Sequence, residues 1–326
     1  MAGTPFLPRG SDGTAPAPRR VVPAAFGRLS GLVGDASVTD VLVTGTEVWA
    51  DRGSGPVRQS AIELDAAEAR ALATRLIALA GRHVDEATPC MDARLGDGIR
   101  VHVVLPPIAV GGVQLSIRLP AVRRLGLGEL DTAGMFGPGV RDRLEALVAA
   151  RASVLITGGT GSGKTTLLAA LLSTVSPRER LLVIEDVAEL RIDHPHVVTL
   201  ETRQANLEGT GRIDLARLVR EALRMRPDRL VVGECRGEEI RELLAALNTG
   251  HDGGFGTLHA NSLADVPARL EALGGLAGLD PASTARQAVS AIDAVVHLER
   301  VGERRRVAAI GALRLGTDGR LLAVAA

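Results

Sequence analysis

Two hydrophobic rhythms run along this chain, and the change between them divides it. Residues 40–43 and 47–50 are mostly apolar and flank Thr44-Gly45-Thr46, which predicts a small hairpin. Over residues 65–81 the apolar positions recur with helical spacing. Leu72, Leu76, Ile77 and Leu79 share the predicted inner face, with Asp65 as N-cap and Gly81 as stop. Residues 99–104 and 113–117 then read as strands around a loop containing Pro106-Pro107. These elements predict a small α+β domain over residues 28–121.

A stretch punctuated by Gly and Pro, residues 122–138, reads as a flexible linker. Beyond it short apolar runs at 153–157, 181–185 and 229–233 alternate with helical patterns. Those helices cover 165–175, ended near Pro177, 214–225, stopped by Pro227, and 238–247, ended at Asn248-Thr249-Gly250. Buried strands between helices predict a doubly wound α/β domain over residues 139–326. The first 27 residues are rich in Pro, Ala, Gly and Arg without periodicity, and are expected to form a disordered tail. No internal repeat is evident.

The chemistry concentrates in the second domain. Gly158-Gly159-Thr160-Gly161-Ser162-Gly163-Lys164-Thr165 fits the phosphate-loop pattern G-x-x-x-x-G-K-[ST], and Thr166 follows in the same helical turn. It follows an apolar strand and opens a helix, where main-chain N–H groups and the helix N-terminus converge on an anion. Lys164 is expected to reach the β- and γ-phosphates of ATP, and the Thr165 hydroxyl to ligate Mg²⁺. Composition sharpens this. Of 38 Lys plus Arg residues, Lys164 is the sole lysine. A coding bias toward Arg explains the rest, and the survivor marks a place where a planar fork cannot replace a compact ammonium.

A phosphate loop needs acids opposite it. The run 230–233 leads into Glu234, a Walker B-like position that would also serve Mg²⁺, partly through water, with Arg236 nearby to balance phosphate charge. The run 182–184 leads into Glu185 and Asp186. In an open parallel sheet, residues just past the strand ends line the ligand crevice, so all three acids are expected to face one Mg-ATP. Helix-start or surface acids are the plain alternative. His251 and His259 fall in one short polar span and read as phosphate or subunit sensors rather than metal ligands, since no Cys or third His accompanies them. Arg217, Arg220 and Arg224 form a basic helical face, either solvated or in contact with a partner.

Acidic and basic residues balance at 38 each, which argues against a chain wrapped in nucleic acid. Two separated cysteines, Cys90 and Cys235, suggest neither a disulfide framework nor a zinc site. No apolar run is long enough to cross a membrane, and no signal-like start is present.

The ordered series GGTGSGKTT from Gly158, VIEDVAEL from Val183, ALRMRPDRLVVGECRG from Ala222 and NTGHDGGFGTLHANS from Asn248 resembles the Tad/Flp-pilus, CpaF-type branch of the type II/IV secretion ATPase superfamily. DEATPCMDARLGDGIRVHVVLPP from Asp85 and LSIRLP from Leu115 resemble its N-terminal domain, so the likeness spans about residues 36–300. The resemblance implies a RecA-like P-loop ATPase domain with a smaller α+β N-terminal domain. It implies a cytoplasmic homo-hexamer at the inner face of the cell membrane, driving integral platform proteins of a pilus or secretion system, with no nucleic acid. It makes Glu185 and Glu234 the candidate catalytic acids, places His251 and His259 in the family's His box, and brings Arg94, Arg100 and Arg118 toward nucleotide. Pairing of those arginines with local acids such as Asp92 and Asp97 is the plain alternative. The tetracysteine zinc element of type II relatives is absent, and the long N-terminal helical segment of some members has only a short tail in its place.

Two other functions compete. A DNA-translocating or helicase-like RecA motor would share the loop, but such motors use a basic, aromatic-bearing channel, and aromatics are 2% of this chain. A nucleotide-gated scaffold with negligible turnover is disfavoured by the intact acids Glu185 and Glu234.

Overall fold

The computed structural model describes residues 24–120, 124–203, 210–302 and 304–325, and the chain divides into two units at Arg123 and Arg124. Most of the expected N-terminal tail, and residues 121–123 of the expected linker, lie outside the described residues.

The first unit starts with helix α1 (Ser30–Gly34) and strands β1 (Asp40–Thr44), β2 (Glu47–Asp51) and β3 (Pro56–Glu63). Helix α2 (Ala66–Leu79) and strands β4 (Cys90–Leu95), β5 (Ile99–Val104) and β6 (Gln114–Arg118) complete it. The strands form one sheet in the order β3-β2-β1-β6-β5-β4, with antiparallel pairing throughout. Alternation decides which face is buried. Val41, Val43, Val48, Ala50, Val101, Val103, Leu115 and Ile117 join one core with Leu72, Ala73, Leu76 and Ile77 of α2. Asp65 caps α2 as expected, in a reciprocal capping box with Glu68.

Two expectations need correction here. Leu79, expected on the inner face of α2, is 56% exposed; Ala69 and Ala73 complete that face instead. The expected tail ends too late, because residues 24–29 form a short 3-10 turn that buries Phe26 and Leu29 in this core. Two large apolar side chains in a Pro- and Gly-rich composition were enough to anchor it.

The second unit contains α3 (Leu127–Thr132), α4 (Val140–Ala149), β7 (Val154–Gly158), α5 (Lys164–Leu172), β8 (Leu181–Glu185), β9 (Val197–Glu201) and α6 (Leu215–Leu223). It continues through β10 (Arg229–Cys235), α7 (Glu239–Leu247), β11 (Phe255–His259), α8 (Val266–Leu276), α9 (Pro281–Ala291), β12 (Ala294–Val301), β13 (Arg304–Leu315) and β14 (Leu321–Ala325). Its sheet runs β14-β13-β12-β7-β11-β10-β8-β9. From β12 to β9 every pairing is parallel. Strands β13 and β14 then extend the sheet antiparallel, so it is mixed rather than purely doubly wound. Strands β7 and β8 are buried at all five positions, because helices cover both faces.

The expected linker is also corrected. Leu127 and Leu130 of α3 and Met135 are buried in the core that holds Leu167 and Leu168 of α5. The Glu129 carboxylate starts that helix by accepting the Gly126 main-chain N–H at 3.0 Å. Its apolar residues number too few to show a period, yet each finds a place beneath the phosphate-loop helix.

Candidate active site

Four strands deliver the candidate residues to one edge. In the parallel register Gly158 ends β7 opposite His259 of β11, while Glu185 ends β8 and Glu234 lies near the end of β10. The sheet therefore collects at its C-terminal edge residues that lie up to a hundred positions apart.

The loop after β7 demands glycine. A Cβ on Gly158 would lie 2.5 Å from the Leu298 carbonyl oxygen and 2.6 Å from Ser162 Oγ. Gly161 and Gly163 have φ of 71° and 99°, and Gly163 is the N-cap of α5. With Gly163 left-handed, the loop curls over the start of the helix, and the first N–H groups of α5 open toward it. The residue Ser162 is 2% exposed, and its Oγ has no hydrogen-bond partner among the described residues. A buried, unused hydroxyl and unused helix N–H groups inside a glycine loop fit the oxygens of a phosphate chain. Thr160, Thr165 and Thr166 are exposed around this loop, and Gly159 is half-buried.

Lys164 lies across the loop, its Nζ donating to the Gly158 and Gly159 carbonyls at 2.9 and 3.0 Å. Burial pulls its pKa below the ordinary lysine value, and Glu234 opposes that pull. Lys164 and Glu234 thus face each other electrostatically, as a loop lysine and a metal-side acid should.

The acids differ sharply from one another. Glu185 is 5% exposed. It accepts main-chain N–H bonds from Glu189 and Leu190 at 3.2 and 3.1 Å. Burial drives its pKa up to about 7, the two N–H donors offset part of that, and the nearby charges of Glu189 and Glu201 add to it. A Cβ on Gly233 would fall 2.6 Å from Glu185 Cγ, so the glycine before Glu234 makes room for the neighbouring strand's acid. Glu234 is more open and sits where the β10–β11 register shifts, between Val232 and Cys235. Arg236 Nε and Nη2 both donate to Glu234 Oε2, at 2.9 and 2.5 Å, and its Nη1 stands 3.9 Å from Asp186 Oδ2. Asp186 is thereby drawn into the cluster through Arg236. Buried Glu239 accepts the N–H groups of Arg236 and Gly237 and holds that turn.

The two histidines part company. His259 ends β11 beside the loop, whereas His251 lies before β11, where Gly253 packs against Arg151 at the opposite end of β7. A five-residue strand spans roughly 13–17 Å, so within one subunit the structure does not bring His251 to the loop. The spacing of two histidines in one polar span concealed the strand between them.

In the first unit, Arg94 lies opposite Arg100, and Arg100 opposite Arg118, so the three form one row across β4, β5 and β6. Asp40 of β1 continues the row beside Arg118. Asp92 is engaged by His102 Nδ1 at 2.8 Å. The side chain of Asp97 lies outside the described residues. On the basic face of α6, Arg220 pairs with Glu242 and Arg224 with Glu221, which leaves that face largely neutralised.

Sequence reasoning missed His297, Arg300 and Arg305. His297, 4% exposed on β12, shares a 2.9 Å hydrogen bond between its Nδ1 and Thr157 Oγ1 and another with the Asn261 main chain. It ties the strand beneath the phosphate loop to the turn after His259. Burial lowers its pKa below the ordinary histidine value, and its bond to the Asn261 main chain opposes that. The sequence signal was a lone histidine inside the apolar run Val295-Val296-His297-Leu298.

Residues 32–307 match the family described as type II/IV secretion system protein. The chain is 48% identical over 307 residues to a putative conjugal transfer protein of Mycobacterium tuberculosis, covering 91% of this chain and 87% of that one. It is 36% identical to the type IV secretion system protein PtlH of Bordetella pertussis, covering 80% and 86%. In fold it is similar to the crystal structure of the pilus retraction motor PilT with bound ADP, with a TM-score of 0.58 at 19% identity, covering 88% of this chain and 78% of that one. The chain belongs to the type II/IV secretion system protein family, and with a phosphate loop and facing acids on a RecA-like sheet it is an ATP-hydrolysing member of it.

Proposed function

We propose that this protein is an ATP-driven motor of a Tad-type pilus or related secretion system, acting as a cytoplasmic homo-hexamer at the inner face of the cell membrane on integral platform proteins. The observation that carries this reading is the meeting of Lys164, Glu234 and Arg236 at one edge of a parallel sheet. Relatives named for conjugal transfer and type IV secretion support export as the task, and the motif series quoted above supports the Tad branch among the possibilities. Among the described residues no helix is long and apolar enough to cross a membrane, in keeping with a peripheral motor.

In this reading the loop from Gly158 to Thr166 holds the phosphate chain of ATP. Thr165 and Glu234 would hold Mg²⁺, partly through water, and the ion would supply positive charge against the phosphate chain. Glu185, with a pKa near neutrality, is suited to take a proton from the attacking water, because a base is most useful when its pKa lies near the working pH. Glu234 orients that water from the metal side. Arg236, held by Glu234 and near Asp186, stands ready to turn toward phosphate charge, and His259 senses the γ-phosphate. The arginine row of Arg94, Arg100 and Arg118 supplies further positive charge from the same or a neighbouring subunit.

The test is Glu234→Gln. Turnover should fall at least ~10²-fold while Mg-ATP binding persists, a typical loss for a water-orienting or acid–base group. The ATP-locked variant, used as bait on solubilised membranes, should retain an integral membrane protein more strongly than the ADP-bound wild type. Loss of nucleotide affinity without slowed chemistry would refute the assigned role of Glu234. Equal recovery of membrane proteins in both states would refute coupling to a platform.

A further inference from the structure

The candidate acids Glu185, Asp186 and Glu234 sit at the ends of β8 and β10, on one side of the phosphate loop. The other side, built by β12 and β13, carries arginines that no role above uses. Arg300 and Arg305 lie directly opposite each other on these antiparallel strands. Like charges so placed repel. Among the described residues neither has a carboxylate partner, whereas their neighbour Arg306 is paired with Glu299. Both converge on Gly161 in the middle of the loop. Arg305 Nε donates to the Gly161 carbonyl at 2.9 Å, and its Cδ would meet a Cβ on Gly163 at 3.4 Å. Arg300 Nη1 lies 3.8 Å from where a Cβ on Gly161 would stand, while its Nε is tied back to the Gly302 carbonyl at 2.9 Å. Two exposed guanidinium groups, held together against repulsion beside a phosphate-binding turn, are stabilised by any anion that comes between them.

Geometry selects which part of the nucleotide that is. Lys164 and Glu234 define the γ-phosphate and metal side, toward β10. On that reading the α-phosphate end extends toward β12. We propose that Arg300 and Arg305 form a second cationic wall of the nucleotide site that holds the α-phosphate end of ATP and ADP alike, with Arg300 contacting the nucleotide and Arg305 chiefly holding the loop. This rests on the reading of the loop as a nucleotide site. Because that end of the nucleotide does not change during hydrolysis, the wall contributes to ground-state and transition-state binding equally. It should set KM and the Kd for ADP, and leave kcat nearly untouched.

The experiment measures ADP binding by calorimetry, and steady-state ATP turnover, for Arg300→Gln, Arg305→Gln, Lys164→Ala and Arg314→Gln. Arg314 lies on the same strand β13, nine residues beyond Arg305 and far from the loop, and serves as a charge control. Arg300→Gln is expected to raise the ADP Kd and the KM for ATP by about tenfold each, with kcat within about threefold. Arg305→Gln should do the same to a lesser degree, and Arg314→Gln should change neither. Arg300→Lys should recover part of the affinity, since it restores charge without the fork. An ADP Kd for Arg300→Gln within twofold of wild type overturns the proposal, as does a loss confined to kcat. Failure of the nucleotide-site reading looks different: wild type, or Lys164→Ala, would then bind ADP no differently from each other.

Discussion

The parallel sheet of the second unit carries glutamate–arginine pairs at both ends of its strands, and the two ends use them differently. At the N-terminal end, Arg229 is 2% exposed and donates to Glu179 through Nε and Nη2, at 2.8 and 3.3 Å, and to the Val148 carbonyl at 3.0 Å. Arg151 reaches the same Glu179 and the Asp228 carbonyl. That network holds Arg151 in a left-handed conformation, φ 55°, which costs a non-glycine residue roughly 1–2 kcal/mol. At the C-terminal end, among the described residues, Glu185 is buried without a cation against it and Ser162 Oγ is unused, while Glu234 meets an exposed Arg236. Arginines tied to one shared glutamate and to main-chain carbonyls lock a frame. Charges left incompletely balanced around glycine loops are held for something that comes and goes.

Three measurements sharpen or break this contrast. The largest effect belongs to the ligand end: Lys164→Ala should reduce ATP turnover to background, and Lys164→Arg should impair it severely, because a fork cannot sit between the two loop carbonyls. Both variants should melt within about 2 °C of wild type. Wild-type turnover in Lys164→Arg would refute the idea that the lone lysine is mechanistic. Next comes the frame. Glu179→Ala strands a buried guanidinium, so urea unfolding should show a loss of about 3–5 kcal/mol, with turnover per folded molecule preserved. A small stability loss joined to a large loss of turnover would erase the distinction between the two ends.

The smallest effect is a pH signature at Glu185. Its folded pKa, about 7, lies above the ordinary 4.5, so between these values the folded chain binds more protons than the unfolded one. Stability from this group is therefore present at low pH and falls as pH rises through that window. Glu185→Gln removes the titrating group while keeping an oxygen for the Glu189 and Leu190 N–H groups. The variant should gain melting temperature relative to wild type on going from pH 5 to pH 8. A difference independent of pH would mean that Glu185 does not titrate in that range.

Motifs whose residues are neighbours in sequence were readable, and those assembled across the sheet were not. The glycine loop, the apolar strands ending in Glu185 and near Glu234, and the capped helix at Asp65 each carry their cause within a few residues. Leu79 has the right spacing for the core of α2 but ends up exposed, since a helical period cannot say how wide the covered stripe is. Leu127, Leu130 and Met135 looked like punctuation in a linker because what buries them is α5, some forty residues away.

By itself the sequence determined the local chemistry: a loop that only glycines can form, a single ammonium at its end, and acids at the ends of buried strands. Only the tertiary structure decided the environment of each group. Register across β7, β11 and β12 put His259, but not His251, beside the loop within one subunit, and set His297 under it. Packing between β8 and Gly233 buried Glu185 and so raised its pKa, while Glu234, also following an apolar run, stayed more exposed. Antiparallel pairing of β12 with β13 brought Arg300 and Arg305 onto a loop some 140 residues earlier in the chain. Identity and spacing are properties of the chain, but burial, charge balance and register are properties of neighbours, and neighbours exist only once the sheet is assembled.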